Sequence, residues 1–417
     1  MTDLTPTALQ RAQHMVLLSI FSIGMGQTLV FAILPSLGRH VGLMEVQVGG
    51  IISASSIVFS LASAVWGHQS ERWGRKPVML IGLSGYTLGT LLFASTFWVG
   101  TQSWLTGWSL FACLVMARML QSTVMAATAP AATACMADIS PIAQRTSAMS
   151  KLAAAQSVGT ILGPAAGAGL AMLSLLLPLY VAASVTFIMA LLVWKFLPES
   201  HPALHAPNET LTIRQQLIKA VKGYFDTRYM SFLFIGVSMF TAFAIVQQTL
   251  GFYFQDKLAL DLTHTAKIVG MAMAISACAS LFAQTVILQR FPLSPLTLMR
   301  TGIPIMIFGF LLLAVGEQTP VLVGCLAFVG FGMGLTLPGF TAAATLSVGT
   351  DEQGAVAGVI AAAPALGFIL GPLLGTSLYH LNHTLPYWFA TGIFVPLTLY
   401  VWLMKNRQTP PLPTTKD

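Results

Sequence analysis

Apolar residues occur along this chain in long runs, separated by short segments that hold most of the charges. A helix needs about 20 mostly apolar residues to cross a bilayer, and twelve runs meet that criterion. The predicted spans cover residues 15–38, 46–67, 77–97, 107–136, 148–171, 174–196, 230–254, 266–289, 300–316, 320–347, 354–379 and 385–404. The first follows a short polar leader without a clear cleavage site, which predicts a retained helix and not a signal peptide. The pattern predicts an all-α membrane protein.

The composition agrees with this pattern. Of the 417 residues, 55% are hydrophobic and 8% are charged, whereas a soluble domain carries about 25% charged residues. A water-soluble enzyme, a disordered protein and a nucleic-acid-binding module are thereby excluded. The four cysteines lie inside apolar runs and show neither metal-ligand nor disulfide spacing. We therefore expect no metal and no cofactor.

The basic residues predict the orientation of the chain. With the N-terminus inside, 16 of the 20 Lys and Arg residues fall on inner segments, three fall on outer segments and Arg118 lies within a span. Inner loops of membrane proteins carry such an excess of Lys and Arg. Both termini are therefore predicted to be cytoplasmic. The net charge of +7 is then a signal of topology and does not indicate a nucleic-acid partner.

The longest polar break divides the chain into two halves of six spans. The predicted domains are 1–197, a cytoplasmic linker at 198–229 with a short interfacial helix, and 230–417. A pattern in the fifth span recurs 208 residues later in the eleventh: Gly159, Gly163, Pro164 and Gly167 return as Gly367, Gly371, Pro372 and Gly375. Two repeated halves around a midplane site are typical of secondary transporters.

The loop after the second span carries the first motif, Gly67-His68-Gln69-Ser70-Glu71-Arg72-Trp73-Gly74-Arg75-Lys76. It resembles the signature of the major facilitator superfamily, Gly-x-Leu-Ala-Asp-Arg-x-Gly-Arg-Lys. Five positions match, Glu71 stands for the Asp, and Gln69 and Ser70 depart from the usual apolar pair. Gly67 would permit close helix approach and Gly74 a tight turn, and Glu71 would accept bonds from a basic neighbour or a helix N-terminus. In the family this loop latches the two halves, which implies gating roles for Gly67, Glu71, Arg72, Gly74, Arg75 and Lys76. The alternative is a purely topological basic segment.

The fourth and fifth spans carry two further motifs of that family. Arg118-Met119-Leu120-Gln121 resembles its Arg-x-x-Gln-Gly motif, with Ser122 in place of the Gly. A charge inside a membrane-spanning helix is costly unless it faces a cavity or a partner, so Arg118 is expected to face one of these. The alternative is a structural arginine that binds carbonyls of a neighbouring helix.

The segment Gly159 to Gly167 resembles the Gly-x-x-x-Gly-Pro-x-x-Gly motif of the drug/proton antiporter branch, which includes tetracycline-type exporters. Its glycines would allow helix contact and Pro164 a bend, forming a seal or hinge.

The resemblance implies that spans one, four, seven and ten line the substrate cavity. The candidate residues there are polar or aromatic: Gln27, Phe31, Arg118, Gln121, Gln247, Gln248, Tyr253, Thr336 and Phe340. None of the 13 carboxylates falls in the middle of a predicted span, which favours neutral or anionic substrates over cations. Glu71, Asp138 and Asp256, near span ends, are the candidates for proton coupling.

The sequence therefore predicts a monomeric secondary transporter in a bacterial-type inner (plasma) membrane. Its partners would be protons, the lipid bilayer and a small-molecule substrate, exported by alternating access. ATP drive is not expected, because the chain has no Gly-x-x-x-x-Gly-Lys-Ser/Thr loop. An alternative is export of an endogenous acidic metabolite such as a carboxylate siderophore. An intramembrane enzyme would need paired Asp, Ser with His, or metal ligands at bilayer depth, and the predicted spans show none of these. A sensor would need a soluble signalling domain, and the linker at 198–229 is too short for one.

Overall fold

A computed structural model describes residues 6–141, 145–200, 229–291, 293–348, 356, 360 and 362–404. The predicted linker helix and most of the loop before the eleventh predicted span lie outside these described residues. The first half forms helices α1 Pro6–His40, α2 Glu45–Trp73, α3 Arg75–Thr101, α4 Gly107–Met125, α5 Thr128–Asp138, α6 Arg145–Ala171 and α7 Leu177–Phe196. The second half forms α8 Met230–Lys257, α9 Leu262–Phe282, a π-helical turn Ala283–Ile287, α10 Leu288–Arg290, α11 Pro295–Val315, α12 Thr319–Thr345, α13 Ala363–Leu381 and α14 Leu385–Leu403.

Ten helical stretches within the described residues are long and apolar enough to cross a membrane. They coincide with ten of the predicted spans. α6 and α13 coincide with the fifth and eleventh predicted spans. Large apolar side chains such as Leu88, Trp194 and Leu399 are exposed on the helix surfaces, as expected for lipid-facing positions.

Two predicted spans differ in detail from the observed helices. The fourth is split into α4 and α5 at Ala126 and Ala127, just before Pro130, whose ring and missing N–H disfavour an uninterrupted helix. The eighth contains the π-helical turn Ala283–Ile287. Gly74, between α2 and α3, has φ of 95°, and this left-handed conformation confirms the tight turn predicted at that glycine.

The described residues form two compact units. The first contains the residues up to 200 together with Phe243–Ala274 and Phe368–Pro386, and in it α1 packs mainly on α6 and α7. The second contains 229–242, the described part of Ile275–Gly367, and 387–404, and its α11 packs along α12.

Candidate functional site

Arg118 is a buried charge within α4. Its side chain is 1% exposed, and its Nη1 donates a hydrogen bond of 2.5 Å to Oε1 of Gln121, one turn along the helix. Gln121 is held by α3, because its Nε2 donates to Oγ1 of Thr90 at 2.6 Å and to the carbonyl of Tyr86 at 3.4 Å. Gly89 leaves room for the side chain of Gln121, since a Cβ there would meet Cβ and Cγ of Gln121 at 2.5 Å. The Arg-x-x-Gln pair is therefore fixed against α3.

Aromatic rings cover the guanidinium of Arg118. Its Cζ lies 5.5 Å from the ring centroid of Phe31 on α1 and 5.6 Å from that of Phe93 on α3, within the range of cation–π attraction. The ring of Phe31 continues into a series of rings. Its centroid is 5.4 Å from that of Phe368 on α13, which is 6.5 Å from that of Phe243 on α8. We call Phe31, Phe368 and Phe243 the aromatic row.

Buried polar atoms near this row have no hydrogen-bond partner among the described residues. They are Nε of Arg118, Oε1 of Gln248, and both Oε1 and Nε2 of Gln247. Gln248 contacts the row, because its Nε2 lies 3.4 Å from the carbonyl oxygen of Phe31. A buried polar atom without a partner costs about 1–3 kcal/mol. Such a cluster is poorly suited to a purely structural role and is suited to holding a polar ligand.

The structure brings together Phe31, Arg118, Gln121 and Gln248 of the predicted cavity. Gln27 lies one turn before Phe31 on the same helix face and is half-buried. Tyr253 is buried near the end of α8, where its hydroxyl accepts a hydrogen bond of 3.0 Å from Nζ of Lys257.

Thr336 and Phe340 lie in the second unit. Thr336 packs against Gly302 of α11, and Phe340 packs against Gly236 of α8. Both are buried, and the hydroxyl of Thr336 has no hydrogen-bond partner within the described part of the chain. Their role in a substrate cavity remains a prediction.

Arg75 organises the predicted gating loop. It is 8% exposed; its Nε donates to Oδ2 of Asp138 at 3.1 Å and its Nη1 to Oγ of Ser70 at 2.7 Å. The carboxylate of Glu199 covers the N-terminus of α3, where it accepts the backbone N–H groups of Arg75 at 2.9 Å and Lys76 at 3.2 Å. Anions are favoured there because a helix N-terminus carries partial positive charge. Ser70, which departs from the family pattern, is itself part of this network.

Glu71 and Arg72 are exposed at the end of α2. The Glu71 side chain is 56% exposed, and its Oε2 lies 3.4 Å from Nδ1 of His68. The basic partner and the helix N-terminus that we expected Glu71 to bind are occupied by Asp138 and Glu199 instead, because the chain brings these distant carboxylates to the loop. The gating role of Glu71 stays a prediction.

Gly67 is not required by close packing in this structure. A Cβ at that position would make an ordinary contact of 3.6 Å with Pro130 of α5. The expectation of an especially close helix approach at Gly67 is therefore wrong for the arrangement described.

The glycines of the fifth predicted span lie against the backbone of α1. A Cβ at Gly159 would meet the carbonyl oxygen of Phe21, one at Gly163 would meet that of Met25, and one at Gly167 would lie 3.0 Å from that of Leu29. The predicted close contact is confirmed, and it forms between α6 and α1. Pro164 lies inside α6, which continues past it to Ala171.

The repeated glycines in α13 make the equivalent contacts with α8. In the second unit, a Cβ at Gly367 would meet Phe240; in the first unit, one at Gly375 would lie 3.1 Å from Cα of Ile245. The repeat detected in the sequence therefore corresponds to repeated packing, α6 on α1 and α13 on α8.

Sequence reasoning missed an ionic cluster at the end of α1. Arg39 binds Asp256 of α8 through both nitrogens of its fork, at 2.5 and 2.6 Å, and donates to Oε1 of Glu45 on α2 at 3.0 Å and to Oε1 of Gln255 at 3.1 Å. No local motif indicates this pairing, because Arg39 and Asp256 are 217 positions apart.

Residues at the end of α13 complete this group. The hydroxyl of Tyr379 donates to Oδ2 of Asp256 at 2.5 Å, and the ring of His383 stacks on that of Tyr379 with centroids 4.8 Å apart. Nδ1 of His380 lies 3.8 Å from Oε2 of Glu45. We call Arg39, Glu45, Gln255, Asp256, Tyr379, His380 and His383 the Arg39 cluster. It joins the ends of α1, α8 and α13 to the start of α2.

Comparison with known sequence families identifies the architecture. The family described as the Major Facilitator Superfamily matches residues 16–365 and 297–417. The chain belongs to this superfamily. It is therefore a multi-pass membrane transporter, and members of the superfamily bind small-molecule substrates.

Relatives and solved structures cover nearly the whole chain. "Multidrug resistance protein 2" of Bacillus subtilis (strain 168) is 28% identical over 394 residues, 93% of each chain. "Quinolone resistance protein NorA" of Staphylococcus aureus (strain MSSA476) is 23% identical over 94% of this chain and 95% of that protein. The structure of a D-xylose–proton symporter aligns with a TM-score of 0.71 at 16% identity, covering 94% of this chain and 97% of the other, and it shows the shared fold.

Proposed function

We propose that the protein is a proton-coupled exporter of small molecules that works by alternating access. The cluster around Arg118 carries this proposal. It places a charged group, two glutamine amides and an aromatic row inside helices long enough to cross a membrane, with polar atoms free for a ligand. The relatives named for multidrug and quinolone resistance, which align over more than nine-tenths of the chain, support export as the direction.

The proposed topology has twelve spans and cytoplasmic termini. α6 and α13 would complete the set: at 1.5 Å per residue their 27 and 19 residues extend about 40 and 28 Å, enough for a hydrocarbon core of about 30 Å with the flanking turns. The halves 1–197 and 230–417 would be joined by the cytoplasmic linker 198–229. The protein would act as a monomer in the plasma membrane of a bacterium.

In this topology the gating loop and the Arg39 cluster face opposite sides of the membrane. The loop with Arg75, Asp138 and Glu199 would be cytoplasmic, and the Arg39 cluster external. The Arg39 cluster joins residues of both halves of the chain, so alternating access would require it to open when the external side opens. The contacts of Arg75 with Asp138 and Glu199 join residues before position 200, and they are formed in the same state as the Arg39 cluster. Carboxylates in both networks, Asp138 and Asp256, are candidates for carrying the proton. One charge crossing 100 mV supplies about 2.3 kcal/mol.

Transport by purified protein in liposomes with an imposed pH gradient tests this proposal. The substrates would be a fluorescent lipophilic cation, a neutral dye and an aromatic carboxylate. We expect gradient-driven movement of at least one of them, abolished by a protonophore and absent from protein-free liposomes. Equal movement with and without the gradient would exclude proton coupling. Equal movement with and without the protein, for every probe, would contradict the exporter proposal.

A second candidate function is the export of an endogenous acidic metabolite. Within the described residues Arg118 forms no ion pair, so its buried charge lacks an anionic partner. The aromatic carboxylate in the transport panel tests for an anionic substrate, because an exporter of acidic molecules would move it in preference to both other probes.

A further inference from the structure

We infer that the substrate is a planar aromatic molecule bearing a carboxylate, bound with its oxyanion on Arg118 and its ring against the aromatic row. This inference rests on the proposed transport function, since it names the class of substrate for the same site. The juxtaposition that carries it is a buried guanidinium with a free Nε, two glutamines with free amide atoms, and three neighbouring phenylalanine rings.

The charge of Arg118 has no counterion in the described structure. Four carboxylates of the same unit bind elsewhere: Asp138 pairs with Arg75 and Glu199 caps α3, while Glu45 and Asp256 bind Arg39. A charge buried without a partner is costly, and an anionic ligand would supply the missing partner. A cationic ligand would be repelled at the same position.

The shape of the guanidinium favours a carboxylate among the anions. Arginine presents its donors in a planar fork that matches the two oxygens of a carboxylate. Nη1 of Arg118 is committed to Gln121 and Nε is free. The ligand would therefore bind along the Nε side of the fork, while the bond to Gln121, itself anchored on Thr90, fixes the guanidinium in place.

The rings beside Arg118 favour an aromatic body for the ligand. Phe31 contributes to both parts of the site, because Arg118 lies over its ring and its centroid is 5.4 Å from that of Phe368. Offset or edge-on ring pairs gain more than aliphatic contacts of equal area. A flat ring carrying its carboxylate at one edge would satisfy the guanidinium and the row together.

The glutamines of α8 would fix the orientation of the ligand. Oε1 of Gln248 and both amide atoms of Gln247 are buried without partners in the part of the chain that the structure describes. These atoms offer two acceptors and one NH2 donor group. The NH2 group of Gln247 would donate to the carboxylate of the ligand, and a hydroxyl or N–H group on the ring would pair with the acceptors.

Binding of three probes that share one ring system tests this inference. Naphthoate, naphthamide and naphthylmethylammonium would be titrated against the detergent-purified full chain, with binding followed by calorimetry. We expect naphthoate to bind about ten- to a hundredfold more tightly than naphthamide, as charge-assisted bonds are stronger than neutral ones. We expect naphthylmethylammonium to bind more weakly than both. A cation that binds as tightly as naphthoate would overturn the inference.

Two variants and one control locate the binding. Arg118→Gln should weaken naphthoate about ten- to a hundredfold and leave naphthamide within about threefold. If that variant does not fold, Gln247→Met provides the decision: it removes amide atoms that have no described partner, so folding should survive and naphthoate affinity should fall severalfold. Gln102→Met, at an exposed position after α3, should change nothing. Naphthoate affinity unchanged in both site variants, or in Gln247→Met alone if Arg118→Gln fails to fold, would place the ligand elsewhere and reject the inference.

The transport measurement separates this inference from the exporter proposal. Gradient-driven movement of the neutral dye or the lipophilic cation, without binding of naphthoate, would leave the exporter proposal standing and reject the substrate class. Binding of naphthoate that depends on Arg118, without gradient-driven movement of any probe, would support the site and reject proton-coupled export.

Discussion

Glu71 and Asp138 show how the surroundings of a side chain decide its importance at the residue scale. Glu71 occupies the motif position, yet its side chain is 56% exposed and its described ionic contact is with His68. Asp138 belongs to no quoted motif, yet it binds Nε of Arg75, whose side chain is 10% exposed. The sequence motif correctly indicated the turn between α2 and α3, but it could not indicate a partner that is 63 positions away.

Replacing each of these acids by its amide tests their different contributions to stability. Asp138→Asn leaves the guanidinium of Arg75 without its carboxylate, so we expect about 1–3 kcal/mol of destabilisation. Glu71→Gln should leave stability unchanged, since exposed ion pairs contribute little. Thermal unfolding of the purified variants would measure both. A loss of stability in Glu71→Gln equal to that in Asp138→Asn would contradict this assignment.

A contribution of Glu71 to the transport cycle can be tested separately from its contribution to stability. If Glu71 belongs to the gate, Glu71→Gln should fold normally and transport more slowly than the parent protein, because the gate would form less readily. Turnover in gradient-energised liposomes measures this. Unchanged turnover would make Glu71 a residue that contributes only to topology.

At the scale of helices, the contact between α6 and α1 depends on the absence of side chains. Gly159 and Gly163 lie so close to α1 that a Cβ would meet its backbone oxygens. Packing through small residues is how membrane helices approach one another closely. The sequence predicted this contact because glycines four positions apart share one helix face.

Alanine substitutions at two glycines of α6 test that contact. Gly163→Ala would place a methyl group on the carbonyl of Met25 and the hydroxyl of Thr28, so we expect about 1–3 kcal/mol of destabilisation from overpacking. Gly169→Ala is the matched control on the same helix, because nothing lies within 4 Å of a Cβ there; it should be neutral or slightly stabilising. Unfolding temperatures of the two variants would be compared, and equal values would reject close packing as the role of Gly163.

Helix boundaries were less predictable than helix existence. The apolar run 107–136 predicted one span, but the chain forms α4 and α5 with a break just before Pro130. Hydropathy alone does not register that break, since Ala126 and Ala127 are themselves apolar. The π-helical turn Ala283–Ile287 likewise interrupts the apolar run 266–289, and its sequence, Ala-Gln-Thr-Val-Ile, contains neither Pro nor Gly. Arg300, expected at the edge of a span, lies in α11 and donates to the carbonyl of Met404 at the end of α14.

At the scale of the whole molecule, the internal repeat is visible in the sequence, whereas the long-range contacts of the Arg39 cluster are visible only in the fold. The repeat of glycines 208 positions apart could be read from the sequence, and it corresponds to matching contacts of α6 with α1 and α13 with α8. The Arg39 cluster has no such signature. It joins residues from both halves of the chain within the first compact unit, and only the folded structure brings them together.

If alternating access operates, the Arg39 cluster should control the access of water-soluble reagents to buried positions of α1 that precede Arg39. Ser36 is 7% exposed, lies one turn before Arg39, and lines a small apolar cavity with Ala168 and Val269. Asp256→Asn removes the carboxylate that binds both nitrogens of the Arg39 fork, so open states should become more populated. In a background without the four native cysteines, we expect Ser36→Cys to react with a water-soluble maleimide about three- to tenfold faster when Asp256→Asn is added.

The control for that measurement is a second acid that lies close by in the sequence. Asp261 is exposed and accepts hydrogen bonds from the backbone N–H and the ring of His264, so Asp261→Asn should leave the labelling rate of Ser36→Cys unchanged. A general loosening of the protein would raise the rate in both variants, whereas a gate would raise it only in Asp256→Asn. Equal rates in the parent and in Asp256→Asn would mean that the cluster stabilises the fold without controlling access, and the external gate would then have to lie elsewhere.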